Sequence, residues 1–156
     1  MFKKIEKFIE YFIFILLSSM SILIFLQVIF RYIIKYSLPW SEELARYLFV
    51  WFALLGAAAG VKKNAHFGVD ILVRKLKPKF QKKLYIISSL FILFFLSVII
   101  FKGTNLTINN WTQLSPAMRI PMSFPYAAVP VSSVLMCIYI VKNIITHFKN
   151  QSIKIE

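Results

Sequence analysis

Four apolar stretches of the chain carry no charged residue: Tyr11–Phe30, Tyr47–Val61, Leu84–Phe101 and Ile120–Val141, of twenty, fifteen, eighteen and twenty-two residues. A helix rises about 1.5 Å per residue, so about twenty residues cross a hydrocarbon layer roughly 30 Å thick. The first, third and fourth stretches qualify directly. The second does so only by borrowing from Trp40–Arg46, which places Glu42, Glu43 and Arg46 at the membrane's edge. The pattern predicts four membrane-spanning helices over 9–34, 42–62, 84–102 and 121–145, in one all-α membrane domain covering 1–156.

Composition agrees with the pattern. Apolar residues make up 59% of the 156, more than a compact soluble fold hides. Lys3, Lys4 and Lys7 precede the first stretch, as they would in a signal peptide. That stretch is longer than a signal peptide's apolar core and ends in Phe30-Arg31-Tyr32, not in small residues. It is expected to stay as a helix. The single cysteine, Cys137, lies inside the fourth stretch and reads as a packing residue, since no internal disulfide is possible.

The formal charge of +13 would suggest nucleic acid in a soluble protein, but its distribution says otherwise. Lys and Arg number three, three, eight, two and three across the tails and connections in chain order. Basic residues stay on the cytoplasmic side when loops are short. The second connection, Lys62–Lys83, therefore belongs inside, and both termini with it. Its alternating apolar and basic residues suggest a short amphipathic piece lying along the inner surface. Anionic lipid headgroups are the partner expected for the excess charge, and no nucleic-acid motif accompanies it.

Residue chemistry adds detail. Gln27 in the first stretch reads as a helix-packing amide. Pro39 disfavours helix at Leu38, Ser41 is a good N-cap, and Trp40 suits the headgroup level. Glu42 and Glu43 complement the positive end of a helix dipole, and either can reach Arg46 along one helix face. The charges could form only a local ion pair, or they could meet another polypeptide. If the chain works as one subunit beside another, Arg46→Ala leaves two acids unpaired near the boundary and weakens complex assembly more than Lys149→Ala. Gly56 and Gly60 form a small-xxx-small spacing that permits close helix approach, within the chain or to a partner. His66 and Asp70 stand four apart and lack a third metal ligand. Gly103–Ser115 reads as an outer loop with Trp111 as anchor, and Pro130 interrupts the last helix.

No nucleophile–base pair, metal cluster or phosphate cradle is present, so neither an enzyme nor a bound cofactor is expected. No acid lies at mid-membrane, and four helices fall short of a self-sufficient transporter. A membrane anchor for a respiratory enzyme is the alternative; it would need haem or quinone.

The run Val28–Leu72 resembles the signature region of the small membrane subunit of TRAP (tripartite ATP-independent periplasmic) transporters. The matching features are Phe30-Arg31, Trp40 with Glu42 and Glu43, Arg46, the run Gly56–Gly60, and His66 with Asp70. The stretch from Ser115 to Ser133 is similar to the start of the family's fourth helix, with Val131-Ser132 departing from its usual small residue or glycine. The resemblance implies a scaffold subunit beside a large membrane subunit carrying the substrate and sodium sites. It also implies a periplasmic binding protein that captures a carboxylate-bearing solute, such as a C4-dicarboxylate or a sialic acid. Arg31, Trp40, Glu42, Glu43, Arg46, Gly56, Gly60, His66 and Asp70 become candidates for the partner interface.

Overall fold

The computed structural model describes residues 2–62 and 78–152. They form four helices: α1 (Phe2–Tyr32), α2 (Pro39–Lys62), α3 (Pro78–Asn109) and α4 (Ser123–Ser152). Each contains a segment long and apolar enough to cross a membrane. The fold is all-α and four-spanning. His66, Asp70 and residues 63–77 of the stretch expected to lie along the inner surface fall outside the described residues, and the end of that stretch, from Pro78, is already helical in α3.

Helix α1 packs on α2, α2 on α4, and α4 on α3, with no other extended helix pairing among the described residues. Chain direction makes α1/α2 and α3/α4 antiparallel and the central pair α2/α4 parallel. The buried share of the apolar window is 33% in α4 and 6% in α1, which makes α4 a central helix and α1 a flank.

Both flanking helices carry a packing stripe that polarity alone does not mark. In α1 the more buried positions include Glu6, Ile9, Ile13, Leu16, Met20, Leu23, Gln27 and Phe30, spaced by alternating threes and fours. That is the seam of two helices crossing at a shallow angle. Gln27 lies on the seam, as a packing amide should. Phe8, Tyr11, Phe14 and Phe25 face outward. In α3 the seam runs through Ser89, Ile92, Leu96, Ile99 and Gly103, while Phe91, Phe94, Phe95 and Phe101 face outward.

Helix α3 continues to Asn109, so the first residues of the expected outer loop are helical. The reason is packing. A Cβ on Gly103 would lie 3.2 Å from Pro130 Cδ and from Val129 Cγ1, so the glycine lets α3 approach α4 beside its proline. The Ser123 hydroxyl donates to the Thr107 carbonyl at 2.6 Å, joining the last turn of α3 to the first turn of α4. Within α4, Ser132 and Ser133 donate to the carbonyls of Ala128 and Val129 at 2.6 and 2.8 Å, around the position where Pro130 supplies no N–H.

Candidate functional site

Helix α2 starts at Pro39. A proline suits a first helical position because its missing N–H has no partner there and its φ is already helical. This corrects the expectation that Ser41 caps the helix. Ser41 is buried within the first turn, where its N–H and hydroxyl return to the Leu38 carbonyl at 3.1 and 2.7 Å. Trp40 shares that turn and is 45% exposed.

The two adjacent acids part company. Successive side chains on a helix point about 100° apart, so only one of the pair can face inward. Glu42 turns out and meets Arg46 at 3.4 Å, both side chains about two-thirds exposed. Glu43 turns in and is 7% exposed. Its Oε2 accepts the backbone N–H groups of Ala117 and Met118 at 2.8 and 3.1 Å. Its Oε1 accepts the Tyr47 hydroxyl, which also lies 3.2 Å from Met122 Sδ. The Ser115 hydroxyl faces the same carboxylate. Arg46→Ala would therefore strand one acid, not two.

The amides that hold Glu43 belong to a closed loop between α3 and α4. Ser115 N–H donates to the Ile120 carbonyl at 2.8 Å, Arg119 N–H to the Ser115 carbonyl at 3.2 Å, and Met122 N–H to the Gln113 carbonyl at 2.8 Å. Ile120 N–H reaches the Ser115 hydroxyl at 3.2 Å. The consecutive N–H groups of Ala117 and Met118 converge on one point, an arrangement that binds anions. Here the anion is the protein's own. Beside the Glu43 carboxylate, α2 and α4 part into an open groove of about 580 Å³, lined by Val50, Pro116, Ala117, Met122, Tyr126 and Val129, among others.

A second cluster lies at the opposite end. Lys62, at the end of α2, meets Glu6 at 3.4 Å and Glu10 at 2.9 Å, both from α1. Lys142 of α4 meets Glu6 at 2.6 Å. Asn143 of α4 donates to the Val61 carbonyl at 3.0 Å, one of the carbonyls left over at a helix C-terminus. Three helices are thus joined around Glu6.

Of the candidate residues, Arg31 lies exposed in the last turn of α1. A Cβ on Gly56 or Gly60 would meet nothing within 4 Å, so those glycines serve no close approach within the described chain. Sequence reasoning missed Tyr47, Ser115, Glu6, Glu10 and Lys142 as partners. The available signal was scarcity: the whole chain has six acids, and two of them, Glu6 and Glu10, stand one helical turn apart in a basic segment.

The sequence matches the family of tripartite ATP-independent periplasmic transporters, DctQ component, over residues 20–150. A protein of Haemophilus influenzae, described as a TRAP transporter small permease protein, is 33% identical over 146 residues, covering 91% of this chain and 88% of its own. The C4-dicarboxylate TRAP transporter small permease protein DctQ of Rhodobacter capsulatus is 35% identical over 104 residues, 65% of this chain and 45% of its own. The isethionate TRAP transporter permease protein DctMQ of Oleidesulfovibrio alaskensis is 29% identical over 140 residues, which are 83% of this chain but 22% of that longer protein. The chain therefore belongs to the DctQ-component family of TRAP transporters, as a small permease subunit that crosses the inner membrane several times and is no enzyme.

Proposed function

We propose that the chain is the scaffold of a sodium-coupled TRAP transporter, holding a large membrane subunit in place while that subunit moves a carboxylate-bearing solute. One observation carries this reading: among the described residues, four acids are held by groups of the chain itself at the two ends of the helices, and the apolar stretches between carry no charge. Such a chain has fixed ends and, among the described residues, no charged side chain at mid-depth with which to bind sodium or an organic anion. The basic connection Lys62–Lys83 supports an orientation with the Glu6 end in the cytoplasm and the Glu43 end in the periplasm, where a soluble binding protein would dock.

The longer DctMQ relative supports the partnership, because a region like this chain there belongs to one larger permease polypeptide. Its name and that of the Rhodobacter relative specify different solutes, isethionate and C4-dicarboxylate. That supports leaving solute choice to the partner chains. Gly56 and Gly60, open in the lone chain, offer a close-approach surface for the large subunit. Arg31, Trp40, Glu42 and Arg46 would meet a partner at the outer boundary, and His66 and Asp70 one at the inner boundary.

Reconstitution tests the proposal. Liposomes holding this chain alone should accumulate no organic acid under a sodium gradient, and liposomes holding it with the large subunit and binding protein should. Uptake by the chain alone, or undiminished uptake without it, would overturn the scaffold role.

A further inference from the structure

The Tyr47 hydroxyl carries one proton and faces two acceptors. It donates to Glu43 Oε1 and lies 3.2 Å from Met122 Sδ. A carboxylate is a strong acceptor and a thioether a weak one, so the proton stays with Glu43. The same carboxylate holds the loop, since its Oε2 accepts the N–H groups of Ala117 and Met118. Whatever takes the tyrosine proton away therefore acts on the loop as well.

Met122 is fixed beside that proton. Its N–H donates to the Gln113 carbonyl at 2.8 Å, closing the loop, and its carbonyl accepts the Tyr126 N–H at 3.4 Å in the first turn of α4. The backbone cannot carry the side chain away from Tyr47 without opening the loop. Met122 is half-buried and lines the open groove together with Tyr47 and Glu43. It stands just before the membrane span Ser123–Thr146, whereas Met20 and Met136 lie inside spans. A water-borne reagent entering the groove reaches the Met122 sulfur first.

We infer that Met122 is an oxidation site: its sulfoxide oxygen takes the Tyr47 proton from Glu43 and loosens the loop's hold on α2. The oxidant is a two-electron oxygen donor such as hydrogen peroxide. A sulfur lone pair attacks one peroxide oxygen and the O–O bond breaks. The departing oxygen takes up the proton of the transferred one and leaves as water. Sulfur is oxidised by two electrons and the peroxide is reduced. The sulfoxide is polar and a far better acceptor than the thioether, and reductases reverse it. Glu43 then loses a donor and gains a repelling oxygen, so its bonds to the Ala117 and Met118 amides weaken.

The test uses the full chain in nanodiscs of saturated phosphatidylcholine, treated with limiting hydrogen peroxide. Peptide mass spectrometry reads oxygen gained at each methionine, and hydrogen exchange at the Ala117 and Met118 amides is read on the same samples. Met122 should oxidise about fivefold faster than Met20 or Met136, or more. Exchange at the two amides should quicken about tenfold, and methionine sulfoxide reductase should restore the starting rate. Met122→Leu keeps the volume and should hold exchange within about twofold of the parent before and after peroxide. Tyr47→Phe has no proton to redirect, so its exchange should start faster and rise no further on oxidation. Met122 reacting no faster than Met20 and Met136 would overturn the site. Unchanged exchange after Met122 is oxidised would overturn its hold on the loop. Acceleration that survives in Met122→Leu would belong to Met118 instead, and acceleration that survives in Tyr47→Phe would remove the shared proton. Loop release needs no partner chain, so any of these failures leaves the scaffold proposal standing.

Discussion

The two ends of the helices solve the same problem with different chemistry. At one end, Glu43 is held by two backbone amides and a tyrosine hydroxyl, all on short and directed arms. At the other, Glu6 and Glu10 are held by lysines on flexible stems, with side-chain exposures from 12% to 53%. Directed bonds to a buried carboxylate fix geometry, whereas ammonium pairs open to solvent supply attraction that salt screens. The Glu43 end is built to keep a shape, and the Glu6 end to keep helices together.

The sharpest way to break this comparison is Glu43→Ala. It leaves the amides of Ala117 and Met118 without their acceptor and frees the loop from α2. Hydrogen exchange at those two amides should quicken about 100-fold, with lower yield of the complex at any salt concentration. Glu43→Gln should fall between, since a carboxamide keeps one oxygen to accept the loop N–H groups but loses the charge and the second acceptor. Protection as strong in Glu43→Ala as in the parent would show that the loop holds itself.

The Glu43 end has a second support where α3 meets α4. Gly103→Ala places a methyl 3.2 Å from Pro130 Cδ and Val129 Cγ1, so those two side chains must give by a few tenths of an ångström. A loss of about 1 kcal/mol is expected. Gly56→Ala meets open space and should be neutral or slightly stabilising in the isolated chain, as alanine favours helix. If Gly56 faces the large subunit, the same change should lower complex yield. Thermal melts of the lone chain beside yields of the complex separate the two, and equal behaviour of the glycines in both assays would contradict the assignment.

At the Glu6 end the expected loss is smaller and depends on salt. Glu6→Gln removes a charge shared by Lys62 and Lys142, the latter side chain 46% exposed. Screening leaves a cost of about 1 kcal/mol at low ionic strength. Most of it should vanish near 0.5 M NaCl, where the Debye length is only about 4 Å. The cost of Glu43→Ala should persist there. A salt-independent loss for Glu6→Gln would erase the distinction between the two ends.

Membrane spans were legible because long runs are both uncharged and apolar, whereas the equally uncharged Gly103–Met118 is polar and becomes a helix end and a loop. The packing seams were not. In α1 the seam and the outward face are both largely apolar: Ile9, Ile13 and Leu16 pack inward while Ile15, Ile22 and Phe14 face out, so residue type does not separate them. Lipid removes the polarity contrast that marks a helix face in water. The divergence of Glu42 and Glu43 was equally hidden. Helical spacing gives both a path to Arg46, and Glu43's actual partners lie 74 and 75 residues away in a loop. Tyr47, four residues after Glu43, was the one local hint.

Arg46→Ala should have the smallest effect. Its 3.4 Å contact with Glu42 lies in the open, each side chain about two-thirds exposed, and exposed pairs one turn apart contribute about 0.5 kcal/mol or less. Glu43 is indifferent to it, because the loop amides hold that carboxylate. The melting temperature of the lone chain should therefore stay within about 2 °C of the parent, matching Lys149→Ala. Complex yield is the informative readout. A selective loss of yield in Arg46→Ala would mean that the guanidinium contacts a partner, because the fold barely uses it. Equal yields would make Glu42–Arg46 a surface pair and leave the buried acid beside it as the structural member of the two.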